Sequence, residues 1–214
     1  MVPALSSARE IRLSTPLSEA DVRALQLGDH VYLTGTLFSG RSRFHQRAVE
    51  EGQLPPIDFK HANILIHMGP VMRRQADGWQ AVGMDQTSSL RFEKWGPQLI
   101  RQLGLRGIVG KTTMGPATAV AMRDHGCVHL TRVGTPGNLL AKKVKRVIDV
   151  FNLEEFGMTE ATWLIEVEEM GPFIVDMDAR GQNLFDAVDR ATDAKLAAIY
   201  QRFGIAENFT YHQA

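Results

Sequence analysis

His30-Val31-Tyr32-Leu33-Thr34-Gly35-Thr36-Leu37-Phe38 is a run of β-branched, aromatic and aliphatic residues, broken at Gly40. Such residues fit a pleated, half-buried surface, so the run predicts a strand. Just beyond it, Arg41 to Glu51 predicts a helix with Phe44, Ala48 and Val49 as its apolar stripe. The same alternation continues outward. Asn63 to Met68 reads as a strand stopped by Gly69-Pro70, and Asp77-Gly78 as a hairpin-type turn before Trp79 to Gly83. Pro97 to Leu103 reads as a helix ended by Gly104, and Gly107 to Gly110 as a short buried strand. Pro116 opens a helix that closes at Gly126, and Val128 to Leu130 follows as a strand. Trp163 to Val167 and Phe173 to Met177 read as two more strands. Asp186 to Phe203 reads as an amphipathic helix offering Ala187, Val188, Ala191, Leu196, Ile199 and Tyr200 to the core. On the N-terminal side, Met1 to Arg12 reads as a loosely ordered lead-in. Ser18 follows as a helix cap, with Asp21 three residues on. Strands and helices in this order imply one layered α/β domain over residues 13–214.

Lysine plus arginine number 24, and aspartate plus glutamate also 24, so no basic surplus points to nucleic acid. No apolar stretch is long enough for a bilayer, and no secretory signal opens the chain, so cytoplasm is the expected compartment. The single cysteine, Cys127, can neither close an internal disulfide nor hold a metal cluster alone. It reads as a buried small hydrophobe. His61, His67, His125 and His129 lack metal-ligand spacing with cysteine and read as structural or surface residues.

Three segments concentrate chemistry at predicted strand or turn ends: Gly40-Arg41-Ser42-Arg43-Phe44-His45, Gln86-Thr87-Ser88-Ser89-Leu90-Arg91, and Gly110-Lys111-Thr112-Thr113-Met114-Gly115-Pro116. Gly110-Lys111-Thr112 is not a nucleotide P-loop, because Leu105 stands where that motif needs glycine. Arg41, Arg43, Arg91 and Lys111 offer fixed cations, and arginine forks match carboxylates two bonds at a time. Taken singly, each is a solvated surface charge in most proteins; converging, they would suit a small diacid. The Thr87-Ser88-Ser89 hydroxyls offer a nucleophile, a base or a capping cluster, and hydroxyl runs before a helix are most often caps. His45, four residues after Arg41, shares a helix face with it.

Together these segments resemble the β subunit of class I, iron–sulfur-dependent fumarases and L(+)-tartrate dehydratases. Val31 to Leu37 looks like that family's first strand. Arg41 and His45 stand in its Arg-Asp-x-x-His signature, and His67-Met68-Gly69-Pro70 matches its His-x-Gly-Pro turn. Thr87 and Arg91 match its Gly-Pro-Thr-Thr-x-x-Arg-Met signature. Gly110-Lys111 and Met114-Gly115 match its Gly-Lys-Gly-Gly-Met-Gly loop. Gly157-Met158, Trp163, Val167, Gly171-Pro172, Asp178 and Gly181 fit its C-terminal part. Ser42, Asp85-Gln86, Phe92 and Thr112-Thr113 depart from the pattern.

The resemblance implies a swivelling β/β/α-type domain and a hydro-lyase that reversibly dehydrates a small 2-hydroxy dicarboxylic acid. It implies Thr87 and Lys111 as catalytic residues, and Arg41, Arg91 and His45 as substrate-binding ones. It implies a 4Fe–4S cluster supplied by a separate α subunit, with no metal held by this chain. Alone, the chain is expected to self-associate through the same face. The competing reading is a non-catalytic diacid-binding or regulatory module. Retained Arg41, Thr87, Arg91 and Lys111 favour the enzyme; Ser42 and Asp85-Gln86 favour the module.

Overall fold

The computed structural model describes residues 8–132, 134, 136–206 and 209. It is a mixed α/β fold whose main sheet has strand order β1-β2-β3-β6-β7-β9-β8. These strands are β1 (Glu10–Ser14), β2 (His30–Ser39), β3 (Ile64–Ile66), β6 (Gly107–Gly110), β7 (Val128–Thr131), β8 (Val144–Phe151) and β9 (Thr162–Met177). A hairpin of β4 (Val71–Gln75) and β5 (Gly78–Gly83) forms a second, two-stranded sheet. An antiparallel pairing of β2 with β9 closes β2, β3, β6, β7 and β9 into a ring.

Side-chain alternation explains the layering. Ile64 and Ile66 of β3 face one cluster with Leu33, Val109, Leu130, Trp163 and Val175, while Leu65 faces the other. The second cluster lies under α2 (Ser42–Val49), α3 (Gly96–Leu103) and α4 (Pro116–His125), which contribute Phe44, Leu99, Ile100 and Met122. Helix α1 (Glu19–Ala24) begins with the capping box expected at Ser18 and Asp21. Helices α3 and α4 end at Gly104 and Gly126, both left-handed, as the sequence predicts.

Several expectations need correction. Part of the anticipated loose lead-in is ordered: Glu10–Ser14 is β1, paired in parallel with β2. Its alternating polar and apolar residues make an edge strand. Residues 1–7 lie outside the described set. The two strands anticipated at 163–167 and 173–177 are one strand, β9, carried through Gly171-Pro172. Strand β8 was not anticipated; Lys145, Arg146 and Asp149 mask its pattern because it lies at the sheet edge. Two short helices, α5 (Gly137–Ala141) and α6 (Leu153–Phe156), flank β8; helix α7 (Leu184–Phe203) exists, but its apolar stripe does not reach the core. Val188 is 44% exposed, Leu196 38% and Ile199 40%. The side chain of Ala187 lies outside the described set.

Candidate active site

Three adjacent parallel strands, β2, β3 and β6, end side by side, and the candidate residues follow those ends. Gly40-Arg41 follows β2, His67 to Gly69 follows β3, and Lys111 follows β6. The backbone N–H of Gly40 donates to Ile66 O at 3.1 Å, and that of His67 to Val109 O at 2.7 Å. The Thr87 segment lies across these ends. Thr87 N–H donates to His67 O at 2.8 Å, Lys111 N–H to Thr87 O at 3.3 Å, and Ser89 N–H to Lys111 O at 3.0 Å. The three segments distant in sequence therefore share one hydrogen-bonded ledge.

Thr87 sits half-buried at the mouth of this ledge, and Arg91 and Lys111 are exposed. A 3-10 turn, Ser89–Phe92, brings Arg91 back so that its Nη1 lies 3.5 Å from Thr87 Oγ1. Arg41 is the residue before α2, in extended conformation, so its side chain leaves the helix rather than running down its face. Its guanidinium lies against Gly69, where an added Cβ would come within 2.6 Å of Arg41 Nη1 and 2.7 Å of Thr159 O. Gly69 is therefore a close approach that a side chain would block. Glu160 lies 3.4 Å from Arg41 Nε and accepts from Arg43 N–H at 3.0 Å. A carboxylate thus meets the start of α2 even though Ser42 supplies none.

Lys111 leads into a strained turn. Thr112 has φ +62°, a left-handed conformation costly for a β-branched residue. Its hydroxyl meets Ser88 Oγ at 2.8 Å and donates to Lys111 O at 2.5 Å. Glu93 pins the far end of the loop: it accepts from Gly115 N–H at 2.7 Å and from Thr118 N–H and hydroxyl at 3.0 and 2.6 Å. It therefore caps α4 from the 3-10 turn.

His45 needs reassignment. It shares a helix with the residues after Arg41, yet its side chain is 1% exposed and points inward. Nδ1 lies 2.7 Å from Arg41 O and Nε2 lies 3.1 Å from His67 Nε2. Phe92 stacks on the ring at 4.3 Å. Burial lowers the His45 pKa to about 4, partly opposed by the Arg41 carbonyl. Its ring lies inside the fold, between Arg41 O, His67 and Phe92. Sequence reading missed Ser89, His67, His129 and Asp176 as partners of this group, because they come from a turn, a strand end and two strands far apart in sequence. Gln86 is a further departure with a structural consequence: it is buried, and neither side-chain oxygen nor nitrogen has a hydrogen-bond partner.

The residues present do not suit an iron–sulfur cluster. Clusters are held by several thiolates. Here burial pushes the one thiol, Cys127, up to about 12, and it lies inside the second core cluster. Among the described residues no three histidine, cysteine or acidic side chains gather as a metal site.

Strand-end placement brings a threonine–arginine pair and a lysine loop onto one ledge of a mixed α/β domain. The sequence model described as Fumarase C-terminus matches residues 2–188, and the chain belongs to that family. It is 35% identical over 183 residues to a Methanocaldococcus jannaschii protein named "Putative L(+)-tartrate dehydratase subunit beta", covering 84% of this chain and 93% of that one. It is 34% identical over 172 residues to the L(+)-tartrate dehydratase subunit beta of Escherichia coli, covering 80% and 85%. It is 31% identical over 193 residues to a Geobacillus stearothermophilus protein named "Putative fumarate hydratase class I"; this match covers 90% of this chain but 37% of the longer relative.

Proposed function

We propose that this chain is the β subunit of a hydro-lyase that reversibly removes water from a small 2-hydroxy dicarboxylic acid. The observation that carries the reading is the Thr87–Arg91 contact on a ledge shared with Lys111, in a family whose named relatives are tartrate dehydratase β subunits. Dehydration removes a proton beside a carboxylate and pushes negative charge onto it. Fixed cations stabilise that charge only if they are already in place. Arg91 and Arg41 are assigned to the substrate carboxylates, where forked donors fix orientation as well as charge. Thr87 is assigned to the proton in flight. A free hydroxyl is too weak a base, so it works only beside cations such as Arg91 and Lys111 that favour its deprotonated form.

This chain's residues do not build a cluster site, so the Lewis acid that draws off the leaving hydroxyl is assigned to a cluster-bearing α subunit docked over the ledge. The match to part of a longer fumarate hydratase supports the idea that the partner module can also be fused to this domain. The buried, unpaired cysteine fits a reducing compartment, and we assign the protein to the cytoplasm. The test is to co-purify the chain with its α subunit without oxygen and assay malate, tartrate and related diacids. Turnover of one of them is expected; a loaded, correctly assembled pair that turns over none would reject the reading.

A further inference from the structure

Behind the ledge runs a buried chain of side chains. His45 Nδ1 faces Arg41 O at 2.7 Å, and His45 Nε2 faces His67 Nε2 at 3.1 Å. His67 Nδ1 faces Ser89 Oγ at 2.9 Å, and Ser89 Oγ faces His129 Nε2 at 2.8 Å. His129 Nδ1 faces Asp176 Oδ1 at 2.6 Å. His45, His67, Ser89, His129 and Asp176 are each at most 1% exposed.

These are five contacts in series, and each needs one hydrogen. Both ends, a carbonyl and a carboxylate, are acceptors. A neutral histidine carries one ring hydrogen and a serine hydroxyl one, so three histidines and Ser89 supply four. The series is one hydrogen short. If His129 donates to an ionised Asp176 and every inner contact is kept, His45 must turn a bare nitrogen on Arg41 O at 2.7 Å. If His45 donates to Arg41 O instead, His129 must turn a bare nitrogen on a carboxylate at 2.6 Å. Either arrangement sets two acceptors against each other in a dry site, which costs far more than in water.

We propose that this series stores one proton beyond those of three neutral histidines, Ser89 and an ionised Asp176, held in the His129–Asp176 pair. We propose also that Ser89, His129 and Asp176 act through it as positioning residues for the Thr87–Arg91 turn and Lys111. With the extra proton, all five contacts close and the pair is neutral overall. Asp176 Oδ2 is buried and accepts no hydrogen bond, so His129 is the group that compensates this carboxylate. The other two rings are poor places for the proton. Burial holds His45 at about 4, and His67 falls well below the usual imidazole value through burial and its two histidine neighbours. The link to the ledge is short. Ser89 lies between Thr87 and Arg91, and Gly110, just before Lys111, packs so closely that any side chain there would collide with Ser89 Oγ.

The test uses the full chain and does not depend on its being a hydro-lyase. Histidines are labelled with nitrogen-15 and aspartates with carbon-13, and spectra are taken at about pH 8.5, where exposed imidazoles are neutral. We expect a protonated pair: His129 with both ring nitrogens protonated, or a protonated Asp176 carboxyl. Asp176→Asn should remove that signature and still fold, since an amide donates to His129 Nδ1 and supplies the fifth hydrogen without charge. Amide hydrogen exchange then reads the ledge. Asp176→Asn should leave Thr87, Ser89 and Lys111 as protected as in the wild type, whereas Ser89→Ala, which cuts two contacts, should speed their exchange by about tenfold or more. A wild-type pair with neutral His129 and ionised Asp176 would overturn the store. Unchanged protection of the three amides in Ser89→Ala would overturn the positioning role.

Discussion

Arg91 touches Thr87 through Nη1, and among the described residues its other guanidinium nitrogens make no hydrogen bond. Arg91→Lys keeps the charge and loses the fork. In the assembled enzyme it should lower kcat/KM by roughly ten- to a hundredfold, about 1.5–3 kcal/mol. Wild-type turnover in that variant would remove Arg91 from the substrate clamp. Thr87→Ala separates chemistry from structure: a lost Arg91 contact lowers the melting temperature, whereas a lost proton carrier abolishes kcat in a protein that still folds and pairs. Thr112 tests the loop itself. It takes a left-handed φ that suits glycine better than a β-branched residue, and its hydroxyl bonds to Ser88 and Lys111 O hold it there. Thr112→Val keeps the branch and loses both bonds, and should cost about 1–2 kcal/mol in denaturant unfolding. Thr112→Gly relieves the strain and should be the more stable of the two; the reverse order would contradict the strained turn. At this scale, the strand and turn ends that carry Arg41, Thr87, Arg91 and Lys111 were legible from residue type, while their roles rest on the family resemblance. The inward turn of His45 was not, because its fate depends on Phe92 and His67 from other segments.

Between elements, the buried histidines tie acid stability to the packing of α2 against β3 and the 3-10 turn. His45 is held at about 4 when folded and returns to about 6.5 when unfolded, so between these values the unfolded chain binds more protons. Its contribution is therefore complete above about pH 6.5 and is lost as pH falls towards 4, up to about 3 kcal/mol, with His67 adding in the same direction. Stability measured by denaturant from pH 7 to pH 5 should fall accordingly, and a flat profile would exclude buried neutral rings at both positions. Helix α7 behaves differently. Its exposed Val188, Leu196, Ile199 and Phe203 gain little from the body, and most helical stability in proteins comes from packing an apolar face. Deleting residues 189–214 should change the unfolding free energy of the remainder by less than about 1 kcal/mol; a large loss would show that α7 is part of the core. The helix was legible from its period, since 3.6-residue spacing is local. Its detachment was not, since amphipathicity says that a face wants cover without saying what covers it.

Across the whole molecule, the ring of strands gathers the ledge and leaves the cluster ligands out. Expressed alone without oxygen and supplied with iron and sulfide, the chain should retain no stoichiometric cluster and should turn over neither fumarate nor tartrate. Stoichiometric iron with turnover from this chain alone would overturn the two-subunit reading. The sequence by itself determined the family, the mixed α/β class and most helix limits. These follow from residue types and short-range periodicity, where glycine, proline and capping residues act within a few positions. Only the tertiary structure decided that β9 runs unbroken against β2, that Glu10–Ser14 is a strand, and that His45, His67, Ser89, His129 and Asp176 form one buried series. The reason is physical. A strand's partners and a buried polar group's hydrogen bonds are set by residues tens of positions away, and one chain's local pattern does not encode which of those will meet.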